Sequence, residues 1–305
     1  MLINKRPDGE PVRVPGFTKM TPLMMQTRTE SSVYMQQTFV MDKTIKFIEE
    51  WNKDIPEERR KLTVIQIMLL ALVRVVVLRP HLNRFISNFR YYKRNNISFS
   101  FVSKKTLTDN GTEVTVTMPF RPDDTLETVN KRYSFFVNQA KSDEGNKNAG
   151  DVDAFDKLPV WMLRVVVWSI KFLDKHNWAG PGILRMLPFY CTMFLTDAGS
   201  LNVNAPIHHN YEIGNVGMFV AIGKVEKEKY ITEDNQISER HVLTCNYTFD
   251  DRIVDGIYAA RATKILKDFV ENPEKLLKAP NFHSNLLKEL GLTEKGWNLW
   301  AEEGM

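Results

Sequence analysis

The segment Leu62–Leu78 is almost entirely apolar, and it restricts the fold of this chain more than any other feature. Only Gln66 and Arg74 interrupt it. A helix that is apolar around most of its circumference has to be buried, because water would otherwise contact its hydrophobic side chains. The segment is short for a membrane span and contains an arginine. It therefore predicts a helix buried beneath a β-sheet.

Alternating residues predict part of that sheet. Ile97–Lys104 and Thr112–Met118 alternate apolar and polar side chains, and a turn at Asp109–Gly111 separates them. This arrangement predicts a β-hairpin with one buried face. Asp124 is followed three residues later by Glu127, a spacing typical of a capping box at the start of a helix.

Composition favours an ordinary soluble domain. The chain has 305 residues and 43% hydrophobic content, enough for one large core. Cys191 and Cys245 lie in apolar surroundings without a metal-binding or redox spacing, which predicts buried thiols in a reducing compartment. The first residues contain no apolar stretch, so we expect no secretion signal and a cytoplasmic location. The net charge of +4 is spread along the chain, which does not favour a nucleic-acid partner.

The segment Trp161–Lys175 is strongly apolar but places Arg164, Lys171 and Lys175 on one side of a helix. Three interpretations remain open for it. It is a core helix or a helix that faces another subunit, with a narrow solvent-exposed stripe; a helix that lies on a membrane surface; or a lid over a pocket. The first interpretation is favoured over membrane-surface contact.

The segment Thr248–Gly256 reads Thr-Phe-Asp-Asp-Arg-Ile-Val-Asp-Gly. It resembles the active-site loop of the dihydrolipoyl acyltransferases of 2-oxo acid dehydrogenases and of the chloramphenicol acetyltransferases, whose pattern is His-x-x-x-Asp-Gly. Asp255 and Gly256 match this pattern, but Asp251 stands where the family has its catalytic histidine. The chain thus resembles a stand-alone branch of the superfamily that lacks the usual base.

Other segments resemble the family in the same order along the chain. They are a long helix ending in a Pro-x-Leu-Asn turn, a Phe-hydroxyl-Gly segment, two strands before the active-site loop and the helix after it: Lys61–Ile86, Phe194–Gly199, Gly217–Val225 with His241–Phe249, and Gly256–Leu277.

The resemblance implies an α+β, chloramphenicol acetyltransferase-like two-layer fold. In this fold a mixed β-sheet is covered by helices, and the protein is a trimer with active sites between subunits. We expect residues 1–280 to form the acyltransferase-like catalytic domain and residues 281–305 a C-terminal helical tail. Trp297 and Trp300 in this tail are expected to pack on their own domain.

The same resemblance assigns roles to individual residues. Thr196 matches the hydroxyl that stabilises the oxyanion. Asp255 is expected to fix the active-site loop through an arginine such as Arg28, and Arg252 and Gly256 are expected to be structural parts of that loop.

The catalytic base has three candidates. Aspartate has a pKa of ~3.9 and imidazole one of ~6.5, so a histidine suits proton abstraction at neutral pH better than Asp251 does. Asp251 would need a strongly raised pKa, which Asp250 favours and a contact with Arg252 would oppose. His208 and His209 offer a replacement base, oriented by the nearby Glu212.

We therefore predict a CoA-dependent acyltransferase that moves an acyl group from acyl-CoA to a small thiol, hydroxyl or amine acceptor. It would use no covalently bound lipoyl group of its own and no metal. We expect a homotrimer, or a larger symmetric assembly of trimers. The alternative is a catalytically inactive family member that serves as a trimeric assembly or interaction module.

Overall fold

A computed structural model describes residues 6–53, 55, 61–104, 113–141 and 158–302. The strands are β1 (Gly9–Pro11), β2 (Ser32–Val40), β3 (Arg84–Ser87), β4 (Arg90–Arg94), β5 (Ile97–Lys104), β6 (Glu113–Phe120), β7 (Met193–Asp197), β8 (Met218–Ile231) and β9 (Ile237–Asp250). The α-helices are α1 (Thr21–Met24), α2 (Asp42–Asn52), α3 (Val64–Leu78), α4 (Leu126–Lys141), α5 (Val160–Lys175), α6 (Pro181–Met186), α7 (Gly256–Glu271), α8 (Ser284–Leu290) and α9 (Glu294–Trp297).

The predicted buried helix is α3, and its two polar residues both have partners. Thr63 and Gln66 form a capping box at its N-terminus. The buried guanidinium of Arg74 donates to the backbone carbonyls of Pro122, Asp124 and Lys278. The helix can therefore be buried because Gln66 and the two terminal nitrogens of Arg74 have hydrogen-bond partners, whereas Nε of Arg74 has none among the described residues.

Six strands form the main sheet in the order β2-β9-β8-β7-β5-β6. β7 pairs parallel with both β5 and β8, and the other neighbours are antiparallel. The helices α3, α4 and α7 contribute to a large core on one face of this sheet. A smaller cluster on the opposite face includes Phe194, Phe219 and Tyr211.

The predicted hairpin is confirmed as the antiparallel pair β5 and β6, and its predicted turn lies outside the described residues. The prediction of one buried face is wrong for β5, because Ser98 and Ser100 are buried as well as Phe99. Ser98 donates to the Asn96 side chain, and Ser100 shares a hydrogen bond with Thr117. Small hydroxyl side chains with partners of this kind can be buried at low cost.

The helix predicted after Asp124 is confirmed as α4, but its cap differs from the prediction. The side chains of Thr125 and Thr128 each accept a hydrogen bond from the other residue's backbone N–H. Asp124 instead pairs with Arg132, with oxygen–nitrogen distances of 2.6 and 2.9 Å. Asp124, which precedes the helix, thus binds Arg132 about two turns into it.

The last part of the chain packs on the rest of the protomer. The ring of Trp297 lies 4.1 Å from the guanidinium carbon of Arg121, and Trp300 is buried in a cluster with Leu184 and Tyr190. Arg185 also donates to the backbone carbonyl of Leu299 at 2.7 Å. These contacts agree with the expected packing of both tryptophans.

Helix α5 is not buried within the protomer. Ile170 is its only buried residue. Trp161 and Trp168 are 66% and 63% exposed, and Val165 and Phe172 continue the same stripe. The interpretation of α5 as a core helix is therefore wrong for the isolated protomer, and most of its aromatic stripe is not covered by the described residues.

Candidate active site

Thr196 lies near the end of β7, on the sheet face opposite the large core. Met193 and Leu195 of the same strand belong to that core. Because side chains alternate along a strand, Phe194 and Thr196 point to the other face. Phe194 stacks on Phe219 of β8 with ring centroids 5.3 Å apart, and Thr196 is in register with Ala221.

The segment 205–211 crosses this face directly above β8 and β9. The carbonyl of Ala205 accepts a hydrogen bond from the Asn246 side chain at 2.8 Å. Three residues later, the ring of His208 stacks on Phe219 with a centroid distance of 3.9 Å and an interplanar angle of 4°. The structure therefore brings His208 to the face that carries Thr196, beside the neighbouring strand.

Gly223 permits this close crossing. A Cβ at this position would lie 2.7 Å from the backbone nitrogen of Ala205 and 2.8 Å from the carbonyl oxygen of Thr244. Both contacts are with backbone atoms, which cannot rotate away as a side chain could. A glycine is required here to let the segment lie on the sheet.

Both histidines have a defined tautomer when neutral. Nδ1 of His208 lies 2.7 Å from the carbonyl oxygen of His209, and Nδ1 of His209 lies 3.0 Å from that of Asn210. A carbonyl oxygen can only accept a hydrogen bond, so each Nδ1 carries the hydrogen. The lone pair is then on Nε2, the nitrogen that can accept a proton.

The expectation that Glu212 orients the histidines is wrong. Its carboxylate accepts hydrogen bonds from the backbone N–H and the hydroxyl of Thr29, at 2.8 and 2.7 Å. Burial raises the pKa of Glu212, but the hydrogen bonds from Thr29 and the nearby Arg28 bring it below its ordinary value. Backbone carbonyls thus orient the histidines, and Glu212 fixes the segment around residue 29.

Arg28 and Asp255 do not form the expected pair within the protomer. The guanidinium of Arg28 donates to the backbone carbonyls of Tyr211 and Gly214. Asp255 is the N-cap of α7 and accepts a hydrogen bond from the backbone N–H of Tyr258 at 2.7 Å. An aspartate at this position satisfies an otherwise unpaired helix N–H group, and Gly256 begins the helix after it.

The loop between β9 and α7 is held by Asp250 and Arg252. Arg252 donates to the Asp250 carboxylate through Nε and Nη2, at 2.7 and 2.6 Å, and to the Met25 carbonyl through Nη1. Tyr91 donates to the Arg252 carbonyl at 2.7 Å. These buried contacts give Arg252 a structural position in the loop.

Asp251 is exposed at the surface of that loop. Arg252 binds the neighbouring Asp250 and not Asp251. The Asp251 carboxylate has no hydrogen-bond or ion-pair partner among the described residues. Partial burial and the charges of Asp250 and Asp255 raise the pKa of Asp251 above its ordinary value. A raised pKa suits a catalytic base. The Asp251 side chain, however, lies among carboxylates, and no described group orients it.

The described part of the chain lacks two further features. It contains no cluster of three or more His, Cys, Asp or Glu side chains that could hold a metal ion. None of its helices combines the length and the apolar character needed to cross a membrane. Cys191 and Cys245 are buried free thiols, as predicted.

Comparison with known proteins confirms the resemblance. Residues 196–278 match the sequence profile of the 2-oxoacid dehydrogenases acyltransferase (catalytic domain) family. This range contains Thr196, both histidines and the loop from Asp251 to Asp255. No curated protein sequence gives a significant match.

Several solved structures are similar to the whole fold. A probable dihydrolipoamide acetyltransferase from Listeria monocytogenes aligns with 89% of this chain and 97% of its own, at 13% identity and a TM-score of 0.57. The cubic core of the pyruvate dehydrogenase multienzyme complex aligns over 88% and 94%, at 15% identity and a TM-score of 0.51. A chloramphenicol acetyltransferase aligns over 86% and 99%, at 12% identity and a TM-score of 0.50.

The chain has the predicted α+β, chloramphenicol acetyltransferase-like fold, with a mixed sheet and covering helices. Its matched segment is of the acyltransferase catalytic-domain kind. The sequence pointed to Thr196, His208 and the 251–256 loop, but it gave no indication that Phe219 would support the His208 ring or that Gly223 would admit the crossing segment.

Proposed function

We propose that this protein is a CoA-dependent acyltransferase that moves an acyl group from acyl-CoA to a small thiol, hydroxyl or amine acceptor. The observation that carries the proposal is the placement of His208. Its ring is fixed on Phe219, and its Nδ1 is committed to a backbone carbonyl. The Nε2 lone pair is therefore available on the sheet face that carries Thr196.

These two residues match the two needs of acyl transfer. Nε2 of His208 takes the proton of the acceptor while the acceptor attacks the thioester carbonyl carbon, and the Thr196 hydroxyl donates a hydrogen bond to the oxyanion that forms. The intermediate then collapses, the carbon–sulfur bond breaks, and the imidazolium returns the proton to the CoA thiolate. In this scheme His209, Asp251 and Asp255 do not transfer the proton.

We further propose a homotrimer with active sites between subunits. The exposed aromatic stripe of α5 supports self-association, because large apolar patches on a protein surface commonly mark interfaces. A similar structure is the cubic core of a multienzyme complex, and we include a larger symmetric assembly of this chain in the same proposal.

We also propose that residues 1–280 form the catalytic domain and residues 281–305 its helical tail. The two buried free thiols support a cytoplasmic location.

Free CoA released from acetyl-, propionyl- and succinyl-CoA tests the proposal. Each donor is mixed with dihydrolipoamide or with a pool of small alcohols and amines, and CoA is quantified by chromatography. We expect His208→Ala to lower turnover by about 10²–10⁴-fold, the usual contribution of a general base. His209→Ala and the distant control His241→Ala should remain within a few-fold of the unchanged protein. Full turnover in His208→Ala would contradict the assignment.

The aspartate at position 251 favours a second candidate function, a non-catalytic trimeric assembly module. In such a protein nothing needs to be deprotonated, and the exchange of the family's histidine for Asp251 has no catalytic consequence. Equilibrium dialysis with the same acyl-CoA donors separates the two functions. Absence of both turnover and binding would support the module, and binding with turnover would support the enzyme.

A further inference from the structure

A cleft lined by several charged side chains opens beside the candidate active site. Its volume is about 260 Å³, and its walls come from the turn between β3 and β4, the last turn of α5 and the segment 212–214. The basic side chains that line it are Arg28, Lys171, Lys175 and Arg252, and the acidic ones are Asp174 and Glu212. The charges of these six residues determine what the cleft can hold.

Arg28 brings a positive charge that no carboxylate neutralises at close range. Its guanidinium donates to the carbonyls of Tyr211 and Gly214, and no carboxylate oxygen of the described residues lies within ion-pair distance of it. Burial lowers the pKa of Arg28, opposed by Asp250 at longer range. Arg28 is half-buried, and a partly desolvated cation whose hydrogen bonds go only to neutral carbonyls attracts an anion.

Lys171 and Lys175 add two more positive charges. They are four residues apart, so they lie on the same side of α5, and both are exposed where the helix borders the cleft. Neither forms an ion pair with a described residue. Their ammonium groups are therefore free to contact a ligand.

The two carboxylates of the cleft are already engaged. Asp174 accepts a hydrogen bond from Arg6 at 2.8 Å, and Glu212 is bound by Thr29. The remaining cation, Arg252, is neutralised by Asp250 at 2.6 Å. Among the described residues, no carboxylate thus lies within ion-pair distance of Arg28, Lys171 or Lys175.

We propose that this cleft binds the anionic group of a small carboxylate- or phosphate-bearing molecule. Glu212 of the cleft directly follows the segment 205–211, and Tyr211 of that segment contacts both the His208 ring and the Arg28 guanidinium. Under the proposed function the bound molecule is the acyl acceptor, and this identification rests on that function. The anion site itself does not depend on it.

Titration calorimetry without an acyl donor tests the site. The probes are succinate, inorganic phosphate and CoA, and the proteins are the unchanged chain, Lys171→Gln/Lys175→Gln and the control Lys264→Gln/Lys288→Gln. The control removes the same charge from exposed lysines of α7 and α8. We expect succinate or phosphate to bind, with at least about tenfold weaker affinity in the 171/175 variant only. Added salt should weaken binding as it screens the charges.

Three results would overturn the proposal. The first is failure of succinate and phosphate to bind the unchanged protein, and the second is equal weakening of binding in both double variants, which would indicate a general surface field. Binding of CoA alone, lost in the 171/175 variant, would assign the cleft to the donor's phosphates. Because acyl transfer is measured separately, absence of turnover with intact succinate or phosphate binding would contradict the proposed function and leave the anion site standing.

Discussion

Asp251 carries a carboxylate whose ionised form the fold disfavours. Burial and the neighbouring Asp250 and Asp255 raise its pKa, so the folded state binds its proton more tightly than the unfolded state. The ionised carboxylate therefore costs stability, and this cost begins as the pH rises through the unfolded value of ~3.9.

Asp251→Asn should consequently stabilise the fold at pH 7 and have little effect below about pH 4. The side chain is largely exposed and screened by water, so we expect a gain of less than about 1 kcal/mol. Urea unfolding at both pH values measures it. Asp234→Asn in the exposed β8–β9 turn is the control, and a loss of stability in Asp251→Asn at pH 7 would contradict the argument.

Asp8 represents the opposite case, a fully buried carboxylate with several donors. It lies 2.9 Å from Arg6 and 3.8 Å from Arg94, and it accepts a hydrogen bond from Asn215 at 2.7 Å. Burial raises the pKa of Asp8, but the two arginines and Asn215 together lower it below its ordinary value. Its stabilising contribution is therefore present above the unfolded pKa and is lost as the pH falls through the folded one.

Asp8→Asn should lower the free energy of unfolding by about 3–5 kcal/mol at pH 7, because the buried Arg94 loses its carboxylate and the buried Arg6 keeps only Asp174. The difference from the unchanged protein should shrink as the pH falls below about 4. Asp268→Asn removes the exposed partner of Lys275 and should cost at most about 1 kcal/mol. Equal losses in the two variants would show that burial of Asp8 has no special effect.

Single-residue roles were the part that the sequence predicted least well. Asp255 caps a helix instead of pairing with Arg28, and Glu212 binds Thr29 instead of a histidine. A sequence shows which groups can form hydrogen bonds, but the partner depends on the distance between segments far apart in the chain. The placement of His208 above Phe219 depends on such a crossing.

At the scale of elements, helix α3 was predictable from the sequence, and the buried Arg74 contributes to its stability through hydrogen bonds to backbone carbonyls. Burial lowers the pKa of Arg74 to about 10, opposed by Asp124 and Asp123. Arg74→Leu would leave the carbonyls of Pro122 and Asp124 without their donor. We expect a loss of about 2–3 kcal/mol, the cost of unpaired buried carbonyls.

Urea unfolding of Arg74→Leu measures this cost, with the exposed Arg261→Leu on α7 as the control. An unchanged midpoint in Arg74→Leu would mean that apolar packing fully replaces the lost hydrogen bonds.

The elements that the sequence predicted have signals within their own residues. Helix α3 is apolar apart from Gln66 and Arg74, and β5 and β6 alternate before and after a turn. The parallel pairing of β7 with β5 and β8 has no such local signal, because the partners are separated by long stretches of chain. Helix α5 shows most clearly what a sequence cannot predict, because its apolar composition does not reveal whether its own protomer covers it.

At the scale of the whole molecule, the exposed stripe of α5 bears on assembly. Trp161, Val165, Trp168 and Phe172 follow one another at spacings of three and four residues, on the side opposite the buried Ile170. Tryptophans at the centre of an interface commonly cost about 2 kcal/mol or more each when removed. Trp161→Ser/Trp168→Ser should therefore shift the proposed trimer towards monomers.

Sedimentation velocity over a range of concentrations tests this prediction, with circular dichroism to confirm that the variant is folded. Ile231→Ser/Ile237→Ser is the control, because these side chains are also exposed, at 72% and 77%, but lie at the tip of the β8–β9 hairpin. If active sites form between subunits, CoA release should fall in parallel with the trimer fraction in the tryptophan variant and stay unchanged in the control. A folded tryptophan variant that remains trimeric would exclude α5 from the subunit interface, and a monomeric variant with full turnover would place the whole active site within one protomer.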